Sequence, residues 1–206
     1  MKKLNVLVCG LLLGGLAFTG CSDDDDKKIE GEATVMANEY NEWTYFNFST
    51  EDTVVLTIQK KAEGDGYVYE VDAEAEKVLK WDIAVHKYDM RTNGGLVKEL
   101  STKNFDAVTL ADVPADGGMV ADAEGSVMAD MSQMMSGFVG YQDVKLNEEL
   151  GRWVIATPTG TMPPYTYELN DNVFVVKVNG KTWKMQFSAY TYGGKTAARF
   201  VYGELK

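Results

Sequence analysis

The chain has 206 residues, a formal net charge of −11, one histidine and two cysteines. This acidity argues against affinity for nucleic acid or anionic lipid surfaces, because both carry negative charge. A chain of this length can bury one sizeable core, so a single folded domain is expected.

The N-terminus is typical of an exported lipoprotein. Lys2 and Lys3 precede an apolar run that ends at Phe18, and Thr19-Gly20-Cys21 follows it. This run is a secretory signal, too short and wrongly flanked for a membrane-spanning helix. The small residues before Cys21 resemble a lipobox, although Phe18 stands where an aliphatic residue is usual. We therefore interpret residues 1–20 as a removed signal and Cys21 as lipidated, with ordinary secretion as the alternative.

An acidic tether is expected between Cys21 and the folded domain. Four aspartates follow Ser22, and an acidic run beside a lipidated cysteine resembles the surface-export signal of Bacteroidota lipoproteins. The plainer interpretation is a solvated spacer, since like charges repel and extend the chain. We assign residues 21–31 to the tether and 32–206 to the domain. The protein is expected at the cell surface, anchored in the outer membrane. Release from the membrane stays open.

The pattern of residues 32–206 predicts an all-β, antiparallel domain with little helix. Aromatic, β-branched or alternating runs bounded by turn residues indicate the strands. The turns Asn179-Gly180 and Thr191–Gly194 make the last three strands a meander. The expected strands are 43–48, 53–59, one long strand at 79–90, 105–110, 138–145, 152–157, 165–169, 173–178, 182–190 and 197–205. Residues 126–136 are the one helix-like stretch, for which a short helix and a structured loop are equally open.

The sequence offers little material for catalysis, so the chain is not expected to be an enzyme. The domain lacks cysteine, which excludes disulfides and thiol chemistry, and the only histidine is His86, within a predicted strand. No G-x-S-x-G elbow, phosphate-binding loop or dinucleotide-binding glycine motif is present. A hydrolase built on two facing carboxylates is the remaining enzymatic hypothesis. We interpret His86 as a buried structural residue whose ring bonds to backbone or carboxylate groups.

The number and the clustering of the methionines are unusual. Five of the ten methionines lie within the 17 positions from Met119 to Met135, and Met162 precedes two prolines. Methionines at helical spacing are commonly core residues, because the flexible thioether fills irregular gaps. Thioether sulfur is also a soft, neutral ligand for haem iron or cuprous copper. The prolines would stiffen the backbone beside Met162, which favours a ligand role for it.

Four segments resemble the HmuY-like haem-binding lipoproteins of Bacteroidota. Trp81–Asn93 is similar to the family stretch W-D-x-A-x-H-R-Y-D-x-R-x-N. The early strand W-x-Y-F-x-F-S is matched at 43–49, V-P-x-D-G at 113–117, and Y-x-L-x-x-x-V-F at 167–174. The resemblance covers nearly the whole mature domain in the same order.

The resemblance implies an all-β fold, extracellular haem capture and delivery to a TonB-dependent outer-membrane receptor. Neither of the two histidine ligands of the founding member is histidine in this chain, and His86 matches a family histidine that is not an axial ligand. Some relatives use methionine pairs, which implies Met135 and Met162 as axial ligands, with Met134 as the substitute for Met135. Tyr165, beside Met162, is the expected contact to the porphyrin ring.

A second hypothesis keeps the domain but changes its ligand. The same β domain could recognise a glycan or another surface protein through aromatic side chains. The membrane is expected to be reached only through the lipid anchor, and the sequence leaves self-association open.

Overall fold

The computed structural model describes residues 30–206 and consists mainly of antiparallel β-strands, which confirms the predicted all-β fold. The strands are β1 (Glu30–Met36), β2 (Glu42–Phe46), β3 (Thr53–Thr57), β4 (Gln59–Glu63), β5 (Gly66–Glu70), β6 (Ile83–His86), β7 (Asp89–Thr92), β8 (Leu96–Glu99), β9 (Val120–Ala121), β10 (Ala123–Asp130), β11 (Gly140–Leu146), β12 (Val154–Pro158), β13 (Tyr165–Leu169), β14 (Val173–Val178), β15 (Lys181–Tyr192) and β16 (Lys195–Glu204). The helices are α1 (Ala73–Val78) and α2 (Glu148–Gly151), with 3₁₀ turns at Leu110–Asp112, Asp116–Gly118 and Met134–Ser136. Within residues 30–206, no helix has the length and apolar character needed to cross a membrane.

Two sheets share the main core. The larger has the strand order β1-β16-β15-β14-β8-β9, and the smaller has the order β3-β2-β6-β7. Since alternate residues of a strand point to the same face, each sheet contributes one row of large side chains to the interior. Phe46 and Phe48 come from the smaller-sheet side, and Trp183, Phe187 and Phe200 come from β15 and β16. Phe48 stacks on Trp183 with ring centroids 5.0 Å apart.

Three two-stranded hairpins, β4–β5, β10–β11 and β12–β13, extend this core. A hairpin of two strands is marginally stable in water alone, so its base must be held by other parts of the protein. In β10–β11, Val127 and Ala129 are buried against Trp43 in a second apolar cluster. The Trp43 indole Nε1 also donates a hydrogen bond to Gln142 Oε1 on β11, at 2.8 Å.

The β12–β13 hairpin is held by the main core. Val154 belongs to that core, and Tyr167 and Leu169 pack against it. Trp153, which precedes β12, is fully buried, and its indole Nε1 donates to the Tyr88 carbonyl oxygen at 2.8 Å. The base of this hairpin is therefore continuous with the interior.

A polar node fixes the two ends of the β10–β11 hairpin. Asp122 immediately precedes β10 and accepts hydrogen bonds from the backbone N–H and hydroxyl of Thr92. Asn147 immediately follows β11, and its side-chain amide donates to Asp122 Oδ1 at 2.9 Å and to the Val120 carbonyl oxygen at 3.0 Å. Asn147 Oδ1 accepts the Leu150 N–H, which caps α2. One partly buried node thus joins both hairpin ends, β7 and α2.

The prediction of one long strand at 79–90 is wrong. The segment forms two strands, β6 and β7, that pair antiparallel, with His86 opposite Asp89. The turn between them needs a left-handed residue, and Lys87 supplies it with φ of 52°. Neither Lys87 nor Tyr88 is a usual turn residue, so the alternating pattern continues through the reversal without a break.

The strand predicted at 105–110 is also absent. This segment consists of turns, and the backbone carbonyl oxygens of Phe105 and Val108 accept hydrogen bonds from the buried Lys184 ammonium, at 2.7 and 3.2 Å. A buried lysine holds the segment as a loop over the sheet.

Residues 126–136 contain neither a regular α-helix nor a single loop. β10 continues to Asp130 because Val127 and Ala129 alternate into the second core, and a 3₁₀ turn follows at Met134–Ser136. The three-residue spacing of the methionines therefore does not reflect helical structure.

The C-terminal meander agrees with the prediction. β14 occupies 173–178, and Asn179 and Gly180 both have positive φ, at 50° and 75°. Such a two-residue turn matches the twist of the strands that it joins. Strands β1, β4, β5, β8, β9 and β10 were not predicted. β1 begins at Glu30, two residues before the expected start of the domain.

Loss of the polar node should destabilise the fold. Asp122→Ala and Asn147→Ala each leave buried hydrogen-bonding groups without a partner, which should lower the free energy of unfolding by about 2 kcal/mol. Urea denaturation measures the change. Asp143→Ala is the control, because Asp143 is an exposed residue on β11 of the same hairpin. Equal midpoints for Asp122→Ala and Asp143→Ala would contradict the assignment of the node as the anchor.

Candidate functional site

The tip of the β10–β11 hairpin presents methionines to solvent. Its 3₁₀ turn is closed by the Met134 N–H donating to the Met131 carbonyl oxygen at 3.1 Å, and by the Gly137 N–H donating to the Met134 carbonyl oxygen at 2.9 Å. Gly137 has φ of 80°, a conformation that a residue without Cβ adopts readily. The Met135 side chain is 94% exposed and that of Met134 is 48% exposed. Two thioethers thus lie in one fixed turn.

The tip of the β12–β13 hairpin presents a third thioether. Thr159 and Pro164 close the loop through a backbone hydrogen bond of 2.9 Å. The Thr159 hydroxyl accepts the Thr161 N–H and donates to the Pro163 carbonyl oxygen at 2.5 Å. Met162 lies between these bonded residues, and its side chain is 87% exposed. The loop therefore holds its backbone while leaving the sulfur accessible.

A row of tyrosines leads from this second tip to the core. Tyr165 and Tyr167 lie on the same face of β13, and their ring centroids are 6.4 Å apart. Tyr167 packs on Tyr88 with a centroid distance of 4.5 Å, and Tyr88 lies near Tyr190 and Trp153, at 6.3 and 6.2 Å. Burial raises the pKa of Tyr88 and of Tyr167, so both stay neutral at physiological pH. This row forms an aromatic surface whose outer member, Tyr165, is 45% exposed.

Both hairpins border one cleft at their bases. A cavity of about 710 Å³ is lined by Gly125 and Leu146 from β10–β11 and by Val154 and Ile155 from β12–β13. Its other lining residues are Asp89, Met90, Glu99, Ala123, Glu124, Asn147, Glu148, Gly151, Arg152 and Asn170. Ligand pockets commonly have volumes of about 300–1,000 Å³, so the cleft is large enough for a small organic molecule.

Charged and aromatic groups brace the methionine-bearing turn on β10–β11. The Asp130 carboxylate accepts the Ser132 N–H at 2.9 Å and the Tyr69 hydroxyl at 3.2 Å, and it lies 3.4 Å from Lys60 Nζ. Hydrogen bonds from Ser132 lower the pKa of Asp130 to about 2, with smaller contributions from Tyr69 and Lys60. Lys60 Nζ also lies 5.6 Å from the centre of the Phe138 ring, within the same tip.

The predicted site residues fall on these two tips. Met135 and its substitute Met134 lie on the first tip, while Met162 and Tyr165 belong to the second hairpin. Their roles as ligands and ring contact stay predictions. Cys21 lies outside the described residues.

His86 has the environment expected of a structural histidine. Its ring is buried against Trp43, and Nε2 lies 2.7 Å from the Tyr40 carbonyl oxygen. Residues 30–206 contain no group of three or more histidine, cysteine, aspartate or glutamate side chains arranged to hold a metal ion.

Sequence reasoning missed Tyr88, Tyr167 and Tyr190 as parts of the aromatic row. The alternation of Tyr165 and Tyr167 was available as a signal, because i and i+2 residues share one face of a strand. Tyr88 could not be included, since its position depends on the unrecognised turn between β6 and β7.

A two-sheet antiparallel β core with two hairpins bordering a cleft defines the structural class of this protein. Residues 39–202 match the HmuY protein family. Because the match spans more than half of the chain, the protein belongs to the HmuY family. No curated protein matches the sequence.

Solved structures of proteins from several bacteria are similar to this chain. A Bacteroides vulgatus protein described as HmuY-like and heme-binding is 29% identical, with a TM-score of 0.67 over 84% of this chain and 91% of that one. An apo HmuY analog from Tannerella forsythia is also 29% identical, with a TM-score of 0.72 over 89% of this chain and 100% of its own. A Bacteroides fragilis protein described as a lipoprotein is 25% identical, with a TM-score of 0.70 over 86% and 90% of the two chains.

Acid should loosen the β10–β11 tip. The pKa of Asp130 is about 2 in the folded protein against an ordinary 3.8, so its ionised form stabilises the fold above pH 3.8. This contribution is lost as the pH falls from 3.8 toward 2. Hydrogen exchange at residues 131–138 should therefore accelerate in that window, after correction for the intrinsic pH dependence of exchange.

Asp130→Asn is the test variant, because the amide oxygen still accepts the Ser132 N–H but does not titrate. In Asp130→Asn, hydrogen exchange at the tip should lack the additional pH dependence, whereas Asp143→Asn should keep that dependence. An unchanged pH profile in Asp130→Asn would rule out the carboxylate as the cause.

Proposed function

We propose that this protein is a haemophore, which binds haem between the thioethers of Met135 and Met162, with Met134 as the substitute for Met135. One observation supports this most directly. In residues 30–206, Met135 and Met162 are the two most exposed large hydrophobic side chains, and they lie on the tips of the two hairpins that border one cleft. Exposure of large apolar side chains opposes the hydrophobic driving force of folding, so this placement on two hairpins supports the proposal.

Two methionine thioethers are chemically suitable ligands for haem iron. Haem is flat and takes one axial ligand on each face, so two thioethers from separate loops can bind it from opposite sides. Thioether sulfur is neutral and soft, and it favours ferrous over ferric iron. With both axial positions filled, the protein would carry haem without exposing an open iron position, which suits a binding protein rather than an enzyme.

The tyrosine row supplies apolar surface for the porphyrin. Tyr165 is the proposed ring contact, because it is partly exposed and lies three residues after Met162. Tyr167 and Tyr88 support it from the core side. Aromatic rings stack favourably on flat conjugated ligands and bury large apolar areas.

The proposed location is the outer surface of the outer membrane. The signal and Cys21 support lipid anchoring, and one solved relative is itself described as a lipoprotein. From there the protein would capture haem and pass it to a TonB-dependent receptor. The net charge of −11 gives no general attraction to nucleic acid.

A second candidate function is recognition of a glycan or a protein partner. Exposed aromatic side chains on the hairpins, such as Tyr67 and Tyr141, favour it. Such a partner would require neither methionine sulfur nor iron, so haem titration separates the two candidates.

Haem titration in both oxidation states tests the methionine pair. Ferrous haem should bind at least about tenfold more tightly than ferric haem, since thioethers favour the softer ion. Absorption spectra in the Soret region measure both affinities. Met135→Ala/Met162→Ala should abolish the ferrous spectrum, whereas Met36→Ala, at a partly exposed methionine on β1, should leave it unchanged. Equal weak binding in both oxidation states would contradict the methionine-pair proposal.

Single variants identify the ligand on the first tip. If Met135 holds the iron, Met135→Ala should change the ferrous spectrum and weaken binding, while Met134→Ala should do neither. The reverse result would assign the role to Met134. Normal binding in both single variants and in the Met134→Ala/Met135→Ala double variant would place the ligand elsewhere.

The lipid anchor is tested by cell fractionation. Cys21→Ser removes the acceptor sulfur, so the protein should move from the membrane fraction to the soluble fraction. Cys9→Ser is a matched control, because Cys9 lies within the proposed signal and is removed with it. Membrane retention of Cys21→Ser would show that anchoring does not require this residue.

A further inference from the structure

The methionines differ widely in accessibility to solvent, and Met36, Met128 and Met134 have intermediate exposures of 36%, 37% and 48%. Met135 and Met162 are almost completely exposed, whereas Met90 and Met185 have 1% and 0% of their surface exposed. Met90 and Met185 belong to the main core, and both exposed residues lie in loops whose backbone is fixed by hydrogen bonds. A dissolved oxidant can therefore reach the sulfurs on the hairpin tips without any unfolding.

We propose that Met135 and Met162 are sites of reversible oxidation by peroxide, and that their oxidation prevents haem capture. The inference rests on the proposed function, because the same two sulfurs are the proposed iron ligands. A sulfur lone pair attacks one peroxide oxygen and forms the S–O bond while the O–O bond breaks, and the released hydroxide takes the proton of the sulfur-bound hydroxyl to form water. The thioether is oxidised by two electrons to a sulfoxide, and hydrogen peroxide is reduced.

The product is a poor ligand for ferrous haem. Oxidation makes the methionine side chain polar and chiral, and the added oxygen is a hard donor on what was a soft ligand. The apolar surface offered by each tip is reduced as well. Because methionine sulfoxide reductases restore the thioether, the block is reversible. The local consequence is a binding site that operates only while both tip sulfurs are reduced.

The chemical test uses the purified apoprotein and hydrogen peroxide. After brief treatment, catalase removes the peroxide, and peptide mass spectrometry measures sulfoxide at each methionine. Met135 and Met162 should oxidise at least about tenfold faster than Met90 and Met185, since susceptibility follows exposure. Equal oxidation rates at the tips and in the core would overturn the assignment.

The functional test is a ferrous-haem titration of the same samples. The affinity of the oxidised protein for ferrous haem should fall at least about tenfold, because changes close to a metal ligand commonly weaken binding by about this factor. Treatment with methionine sulfoxide reductases should restore binding. Met36→Leu should show the same loss and recovery, because Met36 lies on β1 and is not a proposed ligand.

The two proposals fail in different ways. If untreated protein binds ferrous haem and the oxidised protein binds it equally well, the oxidation proposal is wrong and haem binding stands. If binding is lost but reductase treatment does not restore it, the damage lies outside methionine and the proposal is again wrong. If untreated protein does not bind haem, the proposed function and the inference built on it both fall.

Discussion

The proposed site depends on how two hairpins are held at their bases. A pair of strands alone cannot keep its shape in water, so the position of each tip is set by what its base contacts. The β10–β11 hairpin is fixed by the Asp122–Asn147 node. The β12–β13 hairpin is fixed by Tyr167 and Leu169, which pack on the main core. Because the bases are anchored in this way, the exposed methionines at the tips are not needed to hold the hairpins in place.

The hairpin tips carry apolar side chains that are exposed to solvent, which is unusual. Folding favours burial of large apolar side chains, and the core follows this rule with stacked and edge-to-face aromatic rings. Met135 and Met162 break it on two separate hairpins. A single exposed methionine needs no explanation, but two at the tips of hairpins whose bases border one cleft are consistent with the proposed binding of a flat ligand on both faces. The tyrosine row ending at Tyr165 adds apolar surface beside one of them.

Local signals in the sequence predicted the elements that they control and failed where distant contacts decide the structure. Asn179-Gly180 predicted its hairpin because both residues accept positive φ. Lys87 adopts the same conformation without such a signal, so the β6–β7 reversal was not predicted. Buried Lys184 holds the segment near Val108 as a loop through contacts invisible in a local window. For the proposed site, the high methionine content and the two prolines after Met162 were recognisable in the sequence. The partnership of Tyr167 with Tyr88 depended on the missed turn.

The proposed thioether ligands are neutral, which suits a strongly acidic protein. A net charge of −11 already opposes the approach of haem propionates, and ionised carboxylate ligands would add to that repulsion. Histidine ligands would be neutral only above their pKa, whereas a thioether carries no charge at any physiological pH. The disadvantage is chemical, because a thioether exposed enough to meet a large ligand is exposed to peroxide as well. In this fold, the proposed accessibility to haem and the proposed susceptibility to oxidation follow from the same placement of sulfur on the hairpin tips.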